Sequence, residues 1–297
     1  MSVVGLGCNN FGRRADLRRT RGVVDAAIAS GITFFDTADV YGDGASERFL
    51  GEVLEGRHDQ VVLATKFGWS ASSGGELRGS ASYVREAIEA SLRRLRTDHV
   101  DLYYYHRPDG VTPFEETLGA MDEVVRAGKA RYLGCSNLTA AQLREVEEIV
   151  ESSGYARVVA LQNEYSLLER SAEADVLPLC RQYGVGFVPY FPLASGLLTG
   201  KYRRGEESPP GSRLEGRGDR LTDDAFDQIE ALERFAEERG HTILDLAVGA
   251  LASTPGVCSV IAGATTPEQA RANAAAGSWR LSDGDLASLQ QRLVGVG

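Results

Sequence analysis

Six short apolar runs in this chain each carry a polar side chain at their end, and those ends recur at a nearly constant interval. Asp36 closes Ile32–Asp36, Lys66 closes Val61–Lys66, and His106 closes Val100–His106. Ser136 closes Ala130–Ser136, Gln162 lies in Val158–Asn163, and Tyr190 closes Gly186–Tyr190. The separations from Asp36 onward are 30, 40, 30, 26 and 28 residues. A strand with its returning helix takes about 30 residues, so these side chains hold equivalent places on successive strands. Val3–Cys8 and Ser259–Gly263 bring the candidate strands to eight. Amphipathic patterns fill the intervals. Val84, Ile88, Leu92 and Leu95 share one helical face, as do Phe114, Leu118, Met121 and Val125, with Pro113 suited to a first turn. Gly31, Gly128 and Gly184 punctuate the joins.

Eight strands alternating with helices over 297 residues predict an α/β fold: a parallel (β/α)8 TIM barrel, with residues 1–297 as a single domain. The open doubly wound alternative needs GxGxxG after the first strand; GLGCNNFG does not have that spacing. The stretch Arg203–Arg220 is polar, rich in Gly and Pro, and expected to lack regular structure; loops of that length are commonly functional.

The net charge of −10 argues against nucleic-acid or anionic-membrane binding, both of which need basic patches. The four cysteines, Cys8, Cys135, Cys180 and Cys258, are far apart and read as free thiols of a reducing compartment. With neither a membrane-spanning run nor a signal-peptide pattern, a cytoplasmic location is expected.

In a barrel the six polar strand ends ring the C-terminal mouth, where catalytic groups collect. Taken singly, each has an ordinary explanation: Asp36 as a cap, Lys66 as a surface residue, His106 as a strand end, Tyr41 as part of a turn. Taken together, six in-phase polar side chains are hard to explain by packing, since buried Asp, Lys and His are rare and must be paired. Tyr41 follows Asp36 by five positions in FFDTADVYG, so Asp36, Tyr41, Lys66 and His106 are expected to converge. A neighbouring ammonium lowers a phenol's pKa, a carboxylate keeps that ammonium charged, and an imidazole orients a carbonyl. This is general acid chemistry for carbonyl reduction, or general base chemistry in reverse.

The segments GLGCNNFG, FFDTADVYG, VVLATK, DLYYYHRPD, GCSN, LQNEYSLL, VPYFPLASGLLTGKY and VIAGATTPEQARAN resemble, in order, those of the aldo-keto reductases. The resemblance is closer to bacterial reductases and potassium-channel β-subunits than to the mammalian aldose reductases. It implies a barrel using NADPH/NADP+, with NADH as the alternative, and no metal. By the same resemblance Tyr41 is the acid/base, Asp36 and Lys66 its tuning pair, and His106 the carbonyl-orienting group. Ser136, Asn137 and Gln162 match the carboxamide-holding residues, and Tyr190 the ring stacked on nicotinamide. Phe191, Pro192, Leu193, Ala194 and Gly196 match the pyrophosphate loop, with Lys201 and Arg213 near the phosphates. Gly263, Thr265, Gln269 and Asn273 match the adenosine site; Gly7, Cys8 and Asn9 match the turn beside the nicotinamide ribose.

Three residues depart from the common pattern. Phe191 stands where many members have Ser, Gln269 where many have Arg, and Ala272 where Glu is common. The family usually carries a hairpin before the first strand, and this chain starts almost on that strand, so the expectation is either an open barrel floor or a start assigned too late. Trp69 is a candidate for the substrate rim beside His106. Tyr103, Tyr104 and Tyr105 read as packing, and Gly7, Gly42, Gly134, Gly196 and Gly263 as places where backbone approaches the cofactor. The expected partner is a small carbonyl or alcohol substrate; oligomeric state is not legible. Other readings are a low-turnover, cofactor-binding regulatory subunit and an alcohol or sugar dehydrogenase running in the oxidative direction. A metal-dependent hydrolase is disfavoured, because His58, His99, His106 and His241 form neither HxH nor HExxH.

Overall fold

Every one of the eight apolar runs forms a strand. The structure, a computed structural model, describes residues 1–69, 78–216 and 221–294. In chain order the elements are β1 (Val4–Gly7), α1 (Leu17–Ala29), β2 (Phe34–Asp36), α2 (Ala45–Val53), β3 (Val62–Phe67), α3 (Ala81–Leu95), β4 (Val100–Tyr105), α4 (Phe114–Arg126), β5 (Ala130–Ser136), α5 (Ala140–Ser153), β6 (Val158–Gln162), α6 (Val176–Tyr183), β7 (Gly186–Phe187), α7 (Asp223–Glu237), α8 (Ile243–Ser253), β8 (Val260–Gly263), α9 (Pro267–Ala276) and α10 (Asp283–Val294). The loop after Trp69 and the last four residues of Arg203–Arg220 lie outside the described residues.

Local chemistry sets the helix ends. Ser80 caps α3 by accepting from Tyr83 N. Thr139 and Gln142 form a reciprocal capping box on α5, and Thr242 and Asp245 another on α8. Pro113 sits one place earlier than expected, at the N-cap of α4 rather than within its first turn. Gly184, at φ 68°, closes α6 in the left-handed region that favours glycine.

The strands are parallel, in the order β7-β6-β5-β4-β3-β2-β1-β8. The two edges meet and complete the (β/α)8 barrel: Phe187 N donates to Gly256 O, Cys258 N to Phe187 O, and Ile261 N to Pro189 O. β7 is shorter than the expected Gly186–Tyr190, and Pro189 has no N–H to give on the side that faces β8. Val188 N and Tyr190 N still donate to Leu161 O and Asn163 O, so the chain keeps its path to Tyr190. His106, just past β4, is held to β3 by its N–H on Phe67 O. Among the described residues no helix is long and apolar enough to cross a membrane.

A large core fills the space between sheet and helices, and a smaller one fills the barrel. The inner core contains Phe34, Ala64, Leu102, Tyr104, Ala160, Val188 and Ile261. Phe34 and Asp36, Ala64 and Lys66, and Ala160 and Gln162 alternate along their strands, so an apolar layer lies directly beneath the polar strand ends. At the opposite end Tyr132, in phase with Gly134 and Ser136, is 57% exposed. A third cluster, built around Phe226, Leu232, Phe235 and Leu246, includes Leu197, Tyr202 and Leu214 and so anchors the long loop after β7.

Tyr104 points into the barrel and Tyr103 and Tyr105 outward, where both stack on Phe67. Gly134 makes room for Tyr104: a Cβ there would lie 2.4 Å from its ring. Its glycine therefore serves packing rather than approach to a ligand. Gly134→Ala should lower stability by about 1–3 kcal/mol through overpacking, and Tyr104→Leu in the same chain should restore part of the loss. Thermal unfolding of the three variants checks this; an unchanged G134A would contradict it.

Candidate active site

β2 and β3 bring Asp36 and Lys66 to adjacent places at the mouth. The ammonium of Lys66, with no exposed surface, donates to Asp36 Oδ1 at 2.5 Å, to Thr37 O at 2.9 Å and toward Tyr41 Oη at 3.5 Å. Asp36 Oδ2 accepts from Gln162 Nε2 at 2.9 Å across the barrel. The His106 ring meets Tyr41 edge-on, with centroids 5.9 Å apart, and the Trp69 ring lies 5.3 Å from that of His106. The four expected residues thus converge, with Trp69 at their rim.

Burial sets the protonation of this group. It pulls Lys66 down, yet Asp36 and Tyr41 together outweigh it and the ammonium is held above its ordinary range. Burial, reinforced by the Lys66 charge, pushes His106 well below its ordinary range, so the imidazole is neutral at pH 7; its Nδ1 has no partner among the described residues. Tyr41 differs from expectation. Lys66 does favour its phenolate, but burial, aided by Asp36, is stronger and the net shift is upward.

The remaining candidates form three groups. In the first, Tyr190 Oη donates to Asn137 Oδ1 at 2.7 Å, Asn137 Nδ2 to His106 O at 2.9 Å, and Ser136 Oγ to Gln162 O at 2.6 Å. Asn137 holds a left-handed φ of 59°, which turns its amide back toward His106. In the second, Phe191, Ala194, Ser195 and Gly196 all have positive φ, curling the loop after Tyr190 through Pro192 and Leu193. Gly196 Cα faces the Lys201 ammonium, which a Cβ would approach to 2.9 Å; the Arg213 guanidinium lies 4.7 Å from the centre of the Phe191 ring.

The third group gathers at β8. Gly7 pairs with Gly263 in register, and Asn9 and Asn10 lie against Gly263. Asn273 Nδ2 donates to Gly263 O at 3.2 Å, while Thr265 N and Oγ1 both donate to Gln269 Oε1. Cys8 is fully buried; its N–H donates to Asp36 O and its C=O accepts from Ser46 Oγ, so it ties β1 to the quartet.

Sequence reasoning missed a buried polar group behind the quartet. Glu47, fully buried on α2, accepts from Thr65 Oγ1 and from Arg94 Nε, both at 2.6 Å. Asp39 N donates to Lys66 O, and Asp39 Oδ1 is buried without a partner among the described residues. The phase of Thr65 beside Lys66 is the one sequence signal for Glu47, and a lone Asp before Val40-Tyr41 reads only as turn. Burial, with Glu47 nearby, pushes the Asp39 carboxyl up to about 7. Between the ordinary carboxylate range and that value the folded state binds more protons than the unfolded, so stability falls as pH rises and the deficit is complete above about pH 7. Asp39→Asn should therefore raise Tm at about pH 8 and leave it unchanged near pH 4. A gain of equal size at both pH values would contradict this origin.

The pattern of the Aldo/keto reductase family matches residues 3–293. The chain belongs to the aldo/keto reductase family. It is 36% identical over 271 residues to a probable voltage-gated potassium channel subunit beta of Oryza sativa subsp. japonica, covering 87% of this chain and 82% of that one. It is 35% identical over 275 residues to the probable subunit beta of Arabidopsis thaliana, covering 89% and 83%. It is 36% identical over 283 residues to the uncharacterized oxidoreductase YrpG of Bacillus subtilis (strain 168), covering 91% and 86%. Family and relatives together mark it as an oxidoreductase.

Proposed function

We propose that this chain is an NADPH-dependent reductase of aldehydes or ketones, with Tyr41 as the proton donor. The observation that carries the reading is the Lys66 ammonium, shared between Asp36 Oδ1 at 2.5 Å and Tyr41 Oη at 3.5 Å. A phenol kept protonated by burial has a proton to give, and the adjacent fixed cation stabilises the phenolate as the proton leaves. Neutral His106 has hydrogen-bonding capacity for a carbonyl oxygen and does not compete for that proton. Trp69 supplies an apolar wall beside it. In the oxidative direction the same Tyr41–Lys66 pair accepts the proton of an alcohol.

The surrounding residues suit a nicotinamide dinucleotide, which when bound supplies the hydride. Ser136, Asn137 and Gln162 offer amide and hydroxyl groups for a carboxamide, and Tyr190 a ring face. The curled Phe191–Gly196 backbone with Lys201 beside it suits a diphosphate. With the oxygen of Gln269 engaged by Thr265, its NH2 is the group left to meet a 2′-phosphate at the start of α9. Gln269→Glu should place a like charge there and shift the NADPH-over-NADH preference by tenfold or more, read as the ratio of kcat/KM values. An unchanged ratio would remove Gln269 from the cofactor site.

Tyr41→Phe should lower kcat for a nitrobenzaldehyde or methylglyoxal by about 10²–10⁴-fold and leave NADPH affinity within about twofold. Full activity in Tyr41→Phe overturns the mechanism. The similarity to channel subunits supports a second reading, a cofactor-binding subunit of low turnover. That reading predicts tight NADPH binding with negligible single-turnover hydride transfer in the unaltered protein.

A further inference from the structure

α2 and α3 leave between them a cleft of about 470 Å³, on the outside of the barrel and apart from the candidate cofactor groove. Arg48 and Phe49 line it from α2, Arg93 and Arg94 from α3, and Arg96 from just beyond α3. Its one carboxylate is Glu52, which is paired with Arg21 at 3.3 Å. Four arginines therefore line a single concavity on a chain whose net charge is −10.

The four are not equally committed. Arg94 gives Nε to Glu47 and Nη2 to Ser91 Oγ, and Arg96 gives Nη1 to Glu55. Arg48 donates to the backbone oxygen of Asp43, and Arg93 lies within the electrostatic reach of Glu89, one turn earlier on α3; neither arginine forms a direct ion pair among the described residues. Like charges held this close repel unless a counter-ion intervenes. Guanidinium forks match phosphate oxygens in pairs, and the volume falls within the roughly 300–1,000 Å³ range of small-molecule sites. Gly44 lets the arms converge: a Cβ there would lie 2.9 Å from Arg94 Cδ and 3.1 Å from Arg48 Nη1.

We propose that this cleft binds a small phosphate-bearing anion with the charge of a diphosphate, gripped by Arg48 and Arg93 and backed by Arg94 and Arg96. The site lies beside the candidate catalytic loop. Gly42, Asp43 and Gly44, the three residues after Tyr41, are all left-handed, and Arg48 holds the middle one by its carbonyl. Occupancy and loop conformation are thereby coupled through one side chain.

The probe is inorganic pyrophosphate, titrated calorimetrically at low ionic strength into the full-length protein. Because the candidate cofactor groove also suits a diphosphate, three variants are compared with the unaltered chain: R48A/R93A, the charge-keeping R48K/R93K, and K201A/R213A. The expected result is a binding event weakened at least tenfold in R48A/R93A and less in R48K/R93K, and retained in K201A/R213A whether or not that variant loses a second, separate event, with affinity falling as salt is raised. Three outcomes overturn the proposal: no binding by the unaltered chain, equal binding by R48A/R93A, or loss confined to K201A/R213A. Failure here leaves the reductase reading untouched, since that reading rests on Tyr41 and Lys66.

Discussion

The ion pair between Lys66 and Asp36 is the interaction on which the rest of the candidate site depends. Taking an ammonium and a carboxylate out of water costs several kcal/mol for each ion. The site offsets that cost by completing both coordination shells: Thr37 O and Tyr41 Oη take the remaining ammonium protons, and Gln162 takes the second carboxylate oxygen. Removing either ion would strand the other in a region with no solvent. The charge on Lys66 also acts beyond the pair, since it helps hold His106 neutral and opposes the upward pull of burial on Tyr41.

The barrel holds this group rigidly from two sides. From within, the Tyr104 ring lies under Lys66, with the ammonium 5.9 Å from its centre, in a space that only a glycine at position 134 leaves open. From outside, Glu47 links Thr65, next to Lys66 on β3, to Arg94 on α3. Ordinary helix packing is thereby connected to the candidate site.

The sequence made legible whatever depends on period and phase. Eight strands, the convergence of Asp36, Tyr41, Lys66 and His106, and the loop after Tyr190 all follow from regular spacing or from a resemblance carried by contiguous motifs. What it concealed depends on burial. Asp39 and Glu47 look like solvated acids in a turn and a helix, yet Glu47 is fully buried on α2 and Asp39 has its Oδ1 out of water. The upward shift of Tyr41 is a similar case, because residue types give the sign of a neighbouring charge but not the depth at which it acts. Arg48 and Arg93 are exposed in the structure, and their meeting across one cleft depends on how α2 and α3 sit together, which the sequence does not show.

The hydrogen bond from Gln162 to Asp36 joins residues 126 positions apart, and the group at Gly263 stands a further hundred residues along the chain. A ribosome therefore completes the Lys66–Asp36 pair's own strands early but cannot supply the amide that steadies them until the sixth strand has emerged. The group at Gly263 arrives only with the eighth. For a chain with this layout, the complete candidate site is among the last features gained during synthesis, so an incomplete product carries Asp36 and Lys66 without the groups that surround them.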